Sequence, residues 1–198
     1  MSARGPYAKG EAKRKEILRV ALDVVAEMGC RSASNREIAR RVGLSQAGLA
    51  HYFDSREDLY MAVLRTRDEQ DTARFQSARP TIEGFFAIME HNAHVPGLVQ
   101  LYIEFSAEAS IGLHPAHEYF TERYEWVRGQ LAQIVRAAQE ADEMGQKADP
   151  DEIATLMVAA ADGLQQQWLL DRSIDMVARL RRLWDGIVAE SLRVAVRV

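Results

Sequence analysis

Apolar residues return every three or four positions through most of this chain, the spacing that gathers them on one face of an α-helix. Ile17, Leu18, Ala21, Val24, Val25 and Met28 form such a stripe and predict a first helix over about Glu11 to Met28, with Gly29 placed to end it as a left-handed cap. Ser34 stands three residues before Glu37, the spacing of a capping box. Ile38, Ala39 and Val42 then give a short second helix, about Asn35 to Val42, its buried face. Gly43 stops that helix, Leu44 anchors the turn, and Ser45 caps a third of about Gln46 to Phe53, with Leu49 and Phe53 turned inward. Ser55 caps a fourth helix that runs to about Gln76 through Leu59, Tyr60, Val63 and Leu64. Its first turn holds Glu57 and Asp58, favourable at the positive helix end.

The rest of the chain repeats the pattern between clear punctuation. Helices are predicted over about Thr81 to His94, Pro96 to Ser110 and Pro115 to Met144. Asp149-Pro150-Asp151-Glu152 is a strong start signal, a cap followed by a first-turn proline and acidic residues. The helix it opens, to about Leu170, carries Ile153, Leu156, Met157, Ala160, Leu164 and Trp168. A last helix, about Asp175 to Val196, carries Val177, Leu180, Leu183, Trp184, Ile187, Leu192 and Val194. The chain thus reads as all-α, with about nine helices.

Composition narrows the class. With 47% hydrophobic residues in 198, the chain can bury a sizeable core in one or two domains. Cys30 is the only cysteine, so no intrachain disulfide can form and a reducing, cytoplasmic setting fits; it reads as an inert thiol. No run approaches the roughly 18 apolar residues of a membrane span, and the polar N-terminus has no signal-peptide core, so no membrane partner is expected. The net charge of -4 hides an asymmetry: residues 1–56 hold 11 Lys and Arg against 6 Asp and Glu, a balance of +5. Residues 57–198 hold 14 against 23, a balance of -9. A basic front on an acidic body is the footprint of a module for a polyanion.

Helix, glycine turn and helix occupy Ser34 to Phe53. In a helix-turn-helix the second helix lies in the major groove while the first crosses the backbone. Leu49 and Phe53 face inward, which leaves Gln46, Ala47 and Tyr52 outward with His51 on their flank. Glutamine can bond an adenine edge, alanine can touch a thymine methyl, and tyrosine can reach a phosphate; Arg56 beside the next cap has the same reach. No glycine-rich phosphate loop, nucleophile motif or paired catalytic carboxylates occur, so neither an enzyme nor a cofactor is expected.

The runs ILRVALDVVAEMG and SNREIARRVGLSQAGLAHYFDSREDLYMAVL resemble the DNA-binding domain of the tetracycline-repressor (TetR/AcrR) family of bacterial transcription regulators. The resemblance covers about residues 11–64. It implies an N-terminal helix-turn-helix domain, residues 1–56, with a basic arm containing Arg4, Lys9, Lys13, Arg14 and Lys15, followed by a helical ligand-binding and dimerisation domain, residues 57–198. It implies that Ser34 and Arg36 contact the backbone or flanking bases, that Gln46, Ala47 and His51 face bases, and that Tyr52 and Arg56 grip phosphates. Ser45, at the head of the reading helix, joins this DNA-facing set. Ala50 departs from the pattern, since many members carry a phosphate-binding tyrosine there; His51 or Tyr52 can supply that contact, or it is missing. The basic arm reads as either a minor-groove arm or a solvated tail.

The resemblance further implies double-stranded DNA with a palindromic operator as partner, a homodimer through the last two helices, and a small, partly apolar effector that releases a repressor. An effector cavity among the central helices would draw on Phe85, Phe86, Met89, Tyr102, Phe105, Trp126, Met157 and Trp168, with Gln100, Glu104 or Gln165 as polar groups. Two alternatives stay open: a helical adaptor without DNA binding, and a metal-responsive regulator using His91 with His94 or His114 with His117. No metal site is expected, because no cysteine or dense carboxylate cluster stands beside those pairs.

Overall fold

The computed structural model describes residues 6–75 and 79–196, and among these residues it contains nine helices and no strand. They are α1 (Pro6–Met28), α2 (Asn35–Val42), α3 (Gln46–Ala50), α4 (Arg56–Phe75), α5 (Ile82–Asn92), α6 (Pro96–Ala109), α7 (His117–Glu140), α8 (Pro150–Leu170) and α9 (Met176–Val196). Arg4 and Gln76 lie outside the described residues, as does the side chain of Val194.

The chain forms two compact units. The first is Met1–Gln70 with Val95–His117, and the second is Asp71–His94 with Glu118–Val198. These units do not follow a linear cut at residue 56, because α6 belongs to the first of them. Gly97 explains how: a Cβ there would lie 2.0 Å from the Val25 carbonyl oxygen, so only glycine lets the start of α6 lie against the backbone of α1.

In the first unit, Ile17, Ala21, Val24, Val25, Ile38, Leu59 and Val63 are fully buried, the inner faces the periodicity anticipates. Met28 departs from its stripe and is exposed. Gly29 takes φ 74° and closes α1 with an N–H bond to Val25 O of 2.9 Å. The start of α1 corrects the sequence reading: the helix begins at Pro6 rather than about Glu11, so Lys9 lies on the same helix as Lys13, Arg14 and Lys15. Two of them are held. Lys13 Nζ bonds Glu16 and Val42 O, and the Arg14 guanidinium lies 4.7 Å from the centre of the Phe53 ring.

In the second unit, α5 starts at the cap Thr81, α8 at the cap Asp149 and α9 beside Asp175, whose carboxylate accepts the Ala178 N–H at 2.9 Å. The core includes Phe86, Met89, Leu131, Val135, Met144, Ala154, Met157, Trp168, Leu180 and Trp184. α7 is shorter than its periodicity suggests, ending at Glu140. Asp142 there adopts φ 59°, and the amides of Glu143 and Met144 turn back to Ala138 O. Gly145, just beyond, lies against Ser191: an added Cβ would stand 2.2 Å from that carbonyl oxygen.

Candidate nucleic-acid interface

The α2–α3 pair is built by its caps. Ser34 Oγ accepts the Glu37 amide at 3.2 Å and Ser45 Oγ accepts that of Gly48 at 3.0 Å. Between them Gly43, at φ 72°, returns its N–H to Ala39 and Arg40, and the Leu44 amide reaches Ala39 O at 2.8 Å. α3 stops at Ala50 rather than Phe53, because the amides of Tyr52 and Phe53 both fold back onto Leu49 O and tighten the last turn. Buried Leu49 and Phe53 hold it to the unit. Ser55 and Asp58 then cap α4 reciprocally: Ser55 Oγ accepts the Asp58 amide and the Asp58 carboxylate accepts that of Asp54.

On the outer face Ser34, Arg36, Ser45, Gln46, Ala47 and His51 are exposed, and Tyr52 is half-buried with its ring edge-on to His51 at 5.6 Å. The expected capping box at α2 is only half made. The Glu37 side chain turns instead to Arg40 (2.6 and 2.8 Å) and Arg41 (2.9 Å), and hydrogen bonds from these guanidiniums hold its carboxyl down to about 2. Arg41 also reaches Glu27 at 2.6 Å. Arg36 therefore differs from its neighbours: no ion pair engages it among the described residues.

Arg56 does not project freely from α4. Its Nη2 donates to Cys30 O and to the Tyr60 hydroxyl, both at 3.0 Å, and its guanidinium stacks on the Tyr60 ring. The Tyr60 hydroxyl in turn lies 2.8 Å from Cys30 O and 2.9 Å from Ala33 O, tying the α1–α2 turn to α4. Sequence reasoning assigned Tyr60 only to the core; the spacing of four from Arg56 was the available signal. The Cys30 thiol donates to Glu104, which also takes bonds from Gln100 and Arg31. Burial first, then that carboxylate, pushes the thiol up to about 11. Cys30, Arg31, Arg56, Tyr60 and Glu104 line an open cavity of about 480 Å³ with Glu57, Phe105 and Glu108.

The effector candidates divide between the units. Tyr102 and Phe105 are buried in the first; Phe86, Met89, Met157 and Trp168 are buried in the second, where Phe85 is half-buried and Trp126 is exposed. Buried Gln165 accepts the Asn92 side-chain amide at 3.0 Å. The histidines take local partners, His91 near Asp71, His114 near Glu108 and His117 against Ala109 O. Among the described residues no three His, Cys, Asp or Glu groups converge as a metal site would require. On the second unit an open groove of about 510 Å³ runs between α8 and α9, lined by Leu156, Arg182, Leu183, Gly186, Ile187 and Glu190. No described helix is long and apolar enough to cross a membrane.

Two family descriptions match the sequence: "Bacterial regulatory proteins, tetR family" over residues 17–63, and "Tetracyclin repressor-like, C-terminal domain" over residues 79–184. The HTH-type transcriptional regulator PksA of Bacillus subtilis is 24% identical over 169 residues, 81% of this chain and 80% of that protein. The HTH-type transcriptional regulator RutR of Escherichia coli is 44% identical over 54 residues, 27% of this chain and 26% of its own. Among solved structures, a transcriptional regulator from Rhodococcus sp. Rha1 has a TM-score of 0.68 at 21% identity, covering 91% of this chain and 96% of that one. A protein from Saccharomonospora viridis in complex with choline has a TM-score of 0.69 at 22% identity, covering 90% and 96%. The capped α2–α3 pair thus lies inside the first match and α5 to α8 inside the second, and the chain belongs to the TetR family of bacterial regulatory proteins, a DNA-binding helix-turn-helix transcription regulator and not an enzyme.

Proposed function

We propose that the chain is a repressor that binds a two-fold symmetric operator as a homodimer and leaves it when a small, partly apolar effector binds. The observation that carries this reading is the outer face of α2 and α3. Its Arg36, Gln46 and Ala47 are exposed on a scaffold fixed by two serine caps and a left-handed glycine. In this reading Gln46, Ala47 and His51 face bases, Ser34 and Arg36 meet the DNA backbone or flanking bases, Tyr52 meets a phosphate, and Ser45 stands at the head of the reading helix. Arg56 reaches a phosphate only by giving up its bond to Cys30 O.

A palindrome calls for a two-fold symmetric reader, and the open α8–α9 groove supplies a surface for the second copy. The effector draws on the buried aromatic and methionine side chains around Phe86, Met157 and Trp168. A coupling of about 1–3 kcal/mol between effector and DNA suffices, several-fold to about a hundred-fold in operator affinity. Because a relative of the same fold holds choline, a small organic cation belongs in the first panel of effectors.

The test is a binding-site selection on purified protein. Gln46→Ala is expected to relax preference at one base position, by about 1–3 kcal/mol of lost discrimination, whereas Tyr52→Phe weakens all sequences about equally. Identical sequence profiles for wild type and Gln46→Ala would remove the base-reading role.

A further inference from the structure

We propose that two copies of this chain pair across α9 in one register, antiparallel about Gly186, so that Arg182 of each copy meets the partner's Glu190. This rests on the homodimer reading above and specifies its contacts.

The exposed stripe of α9 is Arg182, Leu183, Gly186, Ala189 and Glu190, positions three and four apart that share one helix face. Leu183 on this stripe is 38% exposed and Leu156, across the groove on α8, is 51% exposed, so an apolar surface there is uncovered. Gly186 sits at its centre. Glycine in mid-helix is destabilising relative to alanine, so its presence asks for a reason. Gly97 and Gly145 have theirs within the chain, a carbonyl oxygen at 2.0 and 2.2 Å from an added Cβ, but a Cβ on Gly186 would meet nothing within 4 Å. Openness alone says little, since Gly129 is open too.

The symmetry of what flanks Gly186 carries the argument. A two-fold axis across α9 brings residue 186 minus n opposite residue 186 plus n of the other copy. Three residues out, large Leu183 meets small Ala189. Four residues out, Arg182 meets Glu190, and the axis makes each match twice. Size and charge are complementary together. An axis moved to Leu183 or to Glu190 would set Ile187 opposite Arg179 or Arg193 and leave Arg182 unmatched. Both charges are available: Arg182 has no ion-pair partner among the described residues, and Glu190 is met only by Arg193, at 3.5 Å. Arg179 and Arg193, seven residues out, stand about 10 Å along each helix from the crossing, where the two axes have separated.

Sedimentation equilibrium on the full chain, with circular dichroism to check folding, tests this. Arg182→Glu and Glu190→Arg are each expected to raise the dimer Kd about tenfold or more, because each reversal acts at two symmetric pairs. The double variant R182E/E190R is expected to return to within about threefold of wild type. Gly186→Leu, which the monomer accommodates in open space, is expected to weaken the dimer while keeping full helical signal. A double variant no tighter than the single ones, or a dimer indifferent to all these changes, overturns the register and leaves the homodimer reading standing. A wild-type chain that sediments as a monomer at micromolar concentration overturns both.

Discussion

Glu37 lies between Arg40 and Arg41 and takes up guanidinium charge that would otherwise face solvent on α2. Hydrogen bonds from Arg40 and then Arg41 hold the carboxyl at about 2, below its ordinary value of 4.5. The stabilisation from these pairs is therefore complete above about pH 4.5 and is lost as pH falls toward 2. Glu37→Gln is expected to free Arg40 for a phosphate while Arg41 keeps its bond to Glu27: unrelated DNA sequences bind more tightly, and the slope of log affinity against log salt steepens by about one. Fluorescence anisotropy at several salt concentrations measures this, and an unchanged slope would count against it. At this scale the sequence was only partly legible. Gln46 and Ala47 face outward as expected, because their direction follows from a local cap and two buried neighbours, Leu49 and Phe53. The destination of Arg56 was not legible, since it depends on the carbonyl of Cys30, 26 residues away in the chain.

Helices begin where the sequence says they should when a short polar side chain can satisfy the first free amides. Ser34, Ser45, Ser55, Thr81 and Asp149 all do so. Ends were harder to read. α7 stops without a glycine because Asp142 takes the left-handed position, and α3 is clipped to five residues by the return of two amides to one carbonyl. The first turn and a half of α1, Pro6 to Gly10, was also missed, because a polar stretch without apolar periodicity reads as tail; just beyond it Lys13 and Arg14 gain a carbonyl and a ring from elsewhere in the unit. The tightest interlock between elements is the entry of α6 against α1. Gly97→Ala would drive a methyl into the Val25 carbonyl, which is backbone and cannot turn aside. We expect a loss of about 1–3 kcal/mol or more, read as a lowered midpoint in urea, whereas Gly129→Ala on open α7 should be neutral or slightly stabilising.

For the molecule as a whole, the family plan was legible because two signals agreed, helical periodicity throughout and capped turns at fixed spacing near the start. The eight effector candidates were not legible as one site: aromatic side chains at helical spacing fill cores as readily as they line cavities, and the structure distributes them over both units. The charge division, +5 over residues 1–56 and -9 over the rest, does lead to a whole-molecule expectation. DNA affinity should fall steeply between 50 and 200 mM salt, by about 10³ or more if six phosphates are neutralised. A gel shift at these two concentrations that shows no difference would remove DNA contact from the account. The thiol of Cys30 has a different kind of consequence. It is 3% exposed, hydrogen-bonded to Glu104 and protonated at neutral pH, so maleimides and similar reagents should pass it by. The native chain is thus a ready-made dark background for spectroscopy. A single cysteine placed on the solvent side of α3 would carry the only label, and in a dimer the two labels would report the spacing of the reading helices directly, with and without DNA.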